Sequence, residues 1–223
     1  MMKITGDRHP GSSWQLLTGT LLMNKLNTHR YLSGRIAGMV LLSMVLLMHS
    51  QRSMAEVADS IPRDAMEYFF HQSFNNLDEE LEIATEENKS GVFIMFSDKD
   101  CPWCLKMKTT IMNRVEVQNY YRQHFRLLTV DIRGDTPMTD FDGNEVSEKD
   151  FAFKQHRVRA TPVFMFFDSS GKKTMRLTGI VRDAKEFLWL GEFVVSGAYQ
   201  NTNFTKYKRE RAEQEKTVSR EQS

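Results

Sequence analysis

Cys101 and Cys104 are the two cysteines of this chain, three residues apart with Pro102 and Trp103 between them, in the stretch FSDKDCPWCLKM. Thiols at this spacing can make and break a disulfide, hold a soft metal ion, or lie inert in a core. A zinc site closed within one chain generally needs four thiolate or imidazole ligands. His71, His124 and His156 are scattered without a paired spacing, so a tetrahedral centre is disfavoured and no metal or cofactor is expected. Nor can one pair build the multi-bridge framework of a small secreted domain. A redox couple is the leading reading, with a two-thiolate Cu(I) chaperone as the alternative from a different class.

The elements around the pair are legible from periodicity. Asn76 can cap a helix over about 76–89, with Glu79 three residues on and Leu77, Leu81 and Ala84 on one face. VFIMF, residues 92–96, is an apolar run of strand length, as expected for a strand buried on both faces. From Pro102, apolar positions Met107, Ile111 and Val115 continue the face of Cys104, predicting one helix to about Tyr121 with proline in its first turn. The pair thus opens a helix.

FRLLTVDI, 125–132, reads as a second central strand. Turn residues at Gly134 and Asp142-Gly143 predict a small hairpin or extended loop before a helix that starts at Ser147 and ends near His156. TPVFMFFD, 161–168, is a proline-led strand. A turn at Ser169–Gly171 joins it to a more polar, edge-like strand, and a last amphipathic helix covers 183–198.

The ends of the chain differ in character. IAGMVLLSMVLLM, 36–48, is uncharged and apolar, preceded by Lys25, Arg30 and Arg35 and followed by the small-x-small pattern Ser53-Met54-Ala55. This layout predicts a signal peptide over 1–55 cleaved before Glu56, with an uncleaved anchor as the minority outcome and Met23 as an alternative start. An extension over 56–75, a domain over 76–200 and a charged tail over 201–223 complete the expected organisation. The tail from about Lys206 reads as a solvated helix or frayed segment. Charge is nearly balanced, 30 basic against 29 acidic side chains, without the basic patch of a nucleic-acid footprint, so no nucleic-acid partner is expected.

The order helix, strand, CPWC helix, strand, helix, strand, strand, helix resembles the α/β thioredoxin-like fold over about 76–200. The resemblance is carried by the CxxC after an apolar strand, Thr161-Pro162 opening a later strand, Gly171 in the hairpin and Gly179 before the last helix. Within that superfamily, ENKSGVFIMFSDKDCPWC and RATPVFMFFDSSGK look most like the periplasmic SoxW-type thioredoxins of sulfur-oxidation clusters. The resemblance implies a central mixed sheet flanked by helices and a cis proline at 162 facing the cysteines. It implies a monomeric periplasmic oxidoreductase, secreted across the inner membrane. Such a protein would take electrons from a membrane thiol transporter and reduce cysteine-bearing periplasmic clients. A DsbA-like or cytochrome-maturation oxidoreductase is the neighbouring alternative.

Placement at a helix N-terminus stabilises a thiolate at Cys101, the residue nearer the loop, which is assigned as the attacking thiol. Cys104, on the buried stripe, is the resolving thiol. Pro102 stiffens the turn and Trp103 offers an apolar surface, and the resemblance implies that Thr161, Pro162 and Gly179 border the substrate groove. In one respect the chain departs from the family pattern. Cytosolic thioredoxins carry a buried acid six residues before the first cysteine, and here that position is Met95.

Overall fold

The structure, a computed structural model, describes residues 61–221; the expected leader, its cleavage site and the alternative start lie outside the described residues. Asp64 caps a short helix α1 (Ala65–Tyr68). Helix α2 (Leu77–Glu86) is capped by Asn76, whose side chain accepts from the Glu79 N–H. The chain turns at Gly91 with φ +135°, where a Cβ would stand 2.0 Å from the Phe167 carbonyl oxygen. A residue with a side chain meets both a conformational and a steric barrier there.

Strand β1 (Val92–Ser97) follows, all six residues buried. It lies at the middle of a four-stranded sheet of order β2-β1-β5-β6, formed with β2 (Arg126–Asp131), β5 (Val163–Phe167) and β6 (Lys173–Thr178). β1 pairs parallel to β2 and antiparallel to β5, which pairs antiparallel to β6. The sheet is therefore mixed, and the helices cover both faces.

Alternation along β1 splits the interior into two layers. Phe93 and Met95 pack with Phe164 and Phe166 under helices α1, α3 (Pro102–Thr110), α4 (Val115–His124) and α6 (Ala184–Val195). Ile94 and Phe96 pack on the opposite face with Leu77 and Leu81 of α2 and with Phe151. The first layer is strongly aromatic: Phe93 meets Phe166 edge to face at 5.0 Å, and Tyr121 stacks on Phe187 at 4.4 Å. The Tyr121 hydroxyl is satisfied by donating to the Phe187 carbonyl at 2.7 Å. Aromatic rings in such geometries bury large areas with an added directional term.

The single helix expected over 102–121 is instead two helices, α3 and α4, separated at residues 111–114. Ile111, Met112 and Val115 are all buried, so the apolar period runs through the break and cannot register it. What compensates the break comes from elsewhere in the chain. Gln118 Nε2 donates to the Met112 and Arg63 carbonyls at 3.0 and 3.1 Å, and the Arg63 N–H donates to the Asn113 carbonyl at 2.9 Å.

The predicted hairpin is β3 (Pro137–Thr139) paired with β4 (Glu145–Ser147). Ser147 then caps α5 (Glu148–Asp150), which widens into a π-helical turn, Phe151–Gln155, rather than continuing as α-helix to His156. The wide turn keeps Phe151 and Ala152 buried while Phe153 stays exposed.

After a 3₁₀ turn at Ala198–Gln200, helix α7 (Phe204–Glu221) closes the described chain. It docks on α6 at its beginning: Phe204 and Tyr207 lie 5.6 and 5.1 Å from the Phe193 ring, and Arg211 pairs with Glu192 at 2.7 Å. Lys208 adds an ion pair with Glu186. No described helix is long and apolar enough to cross a membrane.

Two predictions concern stability. Phe204 is buried, so Phe204→Ala should cost about 3 kcal/mol in chemical denaturation. His71 pairs with β2 at Leu127, its N–H donating to the Leu127 carbonyl at 2.8 Å and its Nδ1 accepting the Leu127 N–H at 2.9 Å. Burial, and then the charges of Arg126, Arg122 and Lys89, lower its pKa from 6.5 to about 3. Burial does the same to His156, lowering it to about 4. As pH falls through 6.5 the unfolded chain takes up these protons first, so their contribution is whole above that pH and is lost progressively toward pH 4 and then 3. Urea midpoints should therefore fall across this window. His71→Leu should flatten the slope and, by leaving the Leu127 N–H unpaired, cost about 1–3 kcal/mol at pH 7.

Candidate active site

β1 ends at Ser97, and a short loop carries the chain from the sheet to α3. The loop is held by its own acid. Asp98 is buried, its Oδ1 accepts the Asp100 N–H at 3.1 Å, its Oδ2 pairs with Arg133 at 2.8 Å, and its carbonyl accepts the Cys101 N–H at 3.1 Å. Three residues of loop are thereby set before the first cysteine. Pro102 occupies the first helical position, where a missing N–H leaves nothing unsatisfied.

Cys101 takes the N-cap position of α3, and its Sγ accepts the Cys104 N–H at 3.0 Å. Serine and aspartate usually fill this role with an oxygen. A sulfur placed there gains more from the N–H and the helix dipole when it is a thiolate than when it is neutral. The two cysteines are joined as a disulfide, with Cα atoms 5.2 Å apart. Cys101 is half-buried at the surface, whereas Cys104 is 3% exposed and packs into the aromatic layer with Met95 and Met107. The pair is asymmetric: one sulfur can meet another protein, and the other waits behind it.

The remaining residues singled out from sequence fall in different settings. Trp103 is 53% exposed, with the Lys106 ammonium 5.4 Å from its ring centroid. Thr161 is half-exposed and precedes β5, joined by a cis peptide bond to the buried Pro162. Gly179, with φ +93°, donates its N–H to the Pro162 carbonyl at 2.9 Å. Gly179 and Pro162 are thus brought together at the end of the β5–β6 pair.

A half-open pocket of about 280 Å³ lies beside the cysteines, lined by both of them and by Ser97, Lys108, Thr129, Asp131 and Glu148 among others. Sequence reasoning missed it. Met95 is paired in register with Thr129 and Ser97 with Asp131, so these side chains share the face of the sheet on which Met95 meets Cys104. Thr129 Oγ1 lies 3.2 Å from Ser97 Oγ and bonds the Met95 carbonyl at 3.2 Å. Two signals were present in the sequence: polar residues two apart, at 129 and 131, in an otherwise apolar strand, and a lysine one helical turn beyond Cys104. Nothing local marked Glu148.

Burial pushes the Lys108 pKa down, against the attraction of Asp64 and Asp131. Burial pushes the Glu148 carboxyl up, opposed by hydrogen bonds from Asp131 and Thr136.

These features define a thioredoxin-like dithiol site. A family model for the thioredoxin-like domain matches residues 77–195, and the chain belongs to that family, whose chemistry at this level is thiol–disulfide exchange. Among curated relatives, it is similar to the disulfide bond reductase DsbH of Chlamydia pneumoniae, 28% identical over 101 residues, which are 44% of this chain and 58% of the relative. The match therefore spans little more than half of that relative's length. Among solved structures it is similar to a thioredoxin-fold protein from Helicobacter pylori, with 23% identity, a TM-score of 0.46, and coverage of 55% of this chain and 84% of that one. It is also similar to the C-terminal domain of DsbD from Neisseria meningitidis in its reduced form, with 20% identity, a TM-score of 0.40, and coverage of 51% and 88%.

The difference in exposure predicts a selective reaction. In the reduced protein at neutral pH, iodoacetamide should modify Cys101 at least about tenfold faster than Cys104, as read by peptide mass spectrometry.

Proposed function

We propose that this protein is a periplasmic thiol–disulfide oxidoreductase that reduces disulfides of client proteins through Cys101 and Cys104. The observation that carries the reading is the placement of Cys101 Sγ at the N-cap of α3, half-exposed and bonded by the Cys104 N–H, with Cys104 buried behind it. In the reduced enzyme the Cys101 thiolate attacks one sulfur of a client disulfide. The client's S–S bond breaks, its other sulfur leaves as a thiolate, and a mixed disulfide forms. Cys104, as thiolate, then attacks Cys101 Sγ, releasing the second client thiolate. The client gains two electrons and two protons, and the enzyme is left with the Cys101–Cys104 disulfide, to be reduced again by a membrane thiol transporter.

Support for reduction rather than oxidation comes from the similarity to a relative described as a disulfide bond reductase. Trp103 and half-exposed Thr161 are suited to an extended client segment, the ring by apolar contact and the backbone before cis-Pro162 by strand-like pairing. The clients fitting the sulfur-oxidation resemblance are periplasmic proteins that carry a reactive or oxidised cysteine, such as a sulfur carrier. Secretion by the leader over 1–55 belongs to the same reading.

The test joins three measurements. The purified reduced protein should reduce insulin, a Cys104→Ser variant should trap periplasmic clients as mixed disulfides at Cys101, and the couple should titrate at a potential well below that of strong periplasmic oxidants. A strongly oxidising potential would assign the opposite direction. Stoichiometric Cu(I) in anaerobically purified protein that shows no exchange would replace the enzyme with a metal chaperone.

A further inference from the structure

Resolution of the mixed disulfide needs Cys104 as a thiolate, yet that sulfur is 3% exposed and its neighbour on β1, Met95, is an apolar side chain with no exposure. Burial in apolar surroundings holds a thiol protonated. The proton therefore needs a route and an acceptor. The cavity beside Cys104 offers a route, since polar side chains line it and, at about 280 Å³, it is roomy enough for several waters with partners on Ser97 and Thr129.

Three carboxylates line it: Asp98, Asp131 and Glu148. Asp98 is committed to the Arg133 guanidinium and the Asp100 N–H. Asp131 Oδ1 accepts the Arg133 N–H at 2.9 Å and its carboxylate lies at the outer end of β2. Glu148 is 9% exposed, has no ion pair among the described residues, and accepts hydrogen bonds from the Asp131 N–H, at 3.3 Å to Oε1, and from Thr136. Charged groups facing it across the cavity are Lys108 and Lys99 on the cysteine side and Asp98 and Asp131 on the strand side.

We propose that Glu148 accepts the proton of Cys104, relayed through water in this cavity, and so replaces from helix α5 the acid that β1 lacks at Met95. The inference rests on the exchange reading above. Cys104 S–H passes its proton by way of water to the Glu148 carboxylate, the resulting thiolate attacks Cys101 Sγ, and the departing client sulfur takes the electron pair of the broken bond. The Glu148 proton then returns through water to that thiolate. Burial raises the Glu148 carboxyl toward the pH at which such a transfer is effective.

The experiment follows resolution of a preformed mixed disulfide between Cys101 and an aromatic thiol by stopped flow from pH 5 to 10. In Glu148→Gln the rate at pH 7 should fall roughly 100-fold, and it should rise tenfold per pH unit through and beyond the ordinary thiol pKa of about 8.5, as burial of Cys104 requires. In a Cys104→Ser background, attack by Cys101 on an aromatic disulfide should be unchanged by Glu148→Gln, which a merely structural effect on the loop would not allow. Asp131→Asn, which removes a negative charge beside Glu148, should move the profile to lower pH without a comparable loss of rate at pH 7.

A wild-type profile in Glu148→Gln, or a loss carried by Asp131→Asn instead, overturns the proposal. Should Glu148→Gln fail to fold, carbon-13 NMR of the wild-type protein decides: the Glu148 carboxyl titration should differ between the reduced and disulfide forms, and identical curves overturn the proposal. A wild-type protein that reduces no disulfide at any pH removes the exchange reading itself, an outcome distinct from exchange that ignores Glu148.

Discussion

β1 is bounded on every side: β2 and β5 hold its edges, and an apolar layer covers each of its faces. Shifting it by one residue would exchange Phe93 and Met95 with Ile94 and Phe96, pressing each set into the wrong layer, so its register is strongly specified. The position of Ser97 follows from that register. From Ser97 the loop held by Asp98 reaches Cys101 in four residues, and Cys101 caps α3. The geometry of the sulfurs thus depends on the burial of a strand that contains neither of them. Gly91, which lets the chain pass under the Phe167 carbonyl, guards the other end.

The face of the sheet beneath the cysteines changes character along its length. At its middle it is aromatic, with Phe93, Phe164 and Phe166; toward the C-terminal ends of β1 and β2 it becomes polar, with Ser97, Thr129 and Asp131. Cys104 lies where the two regions meet. The apolar side shields Cys104 from bulk solvent, while polar side chains line the pocket on its other side. A thioredoxin-like site that holds its acid in the strand concentrates both features in one position. Here they are spread over a strand, a helix and the turn that begins at Glu148.

The elements that were legible in the sequence share a property: their signal is local. The apolar runs of β1 and β5, the helix starts at Asn76 and Ser147, and proline at the first position of α3 are each written within a few residues, and the structure forms each one. The misread elements depend on distant partners. The break between α3 and α4 is stabilised through Gln118 and Arg63, neither of which alters the apolar period of 107, 111 and 115. The π-helical turn at Phe151–Gln155 lets Phe151 pack 5.9 Å from the Phe96 ring, a contact between residues far apart in sequence. The charged tail forms a largely exposed helix, one of the two readings given for it, and docks at its start through Phe204 and Tyr207.

What the sequence determined by itself was the position of the two thiols and the frame that holds them. A lone CPWC pair between an apolar strand and a proline-started helix restricts the thiols to a helix N-terminus, where local hydrogen-bond geometry already favours a thiolate. The tertiary structure decided how the two sulfurs differ and what surrounds the inner one. Exposure of Cys101, enclosure of Cys104, and the meeting of Lys108, Asp131 and Glu148 in one cavity all arise from packing between elements distant in sequence. No local pattern encodes such a meeting, because it depends on which elements the register of the sheet and its covering helices bring side by side.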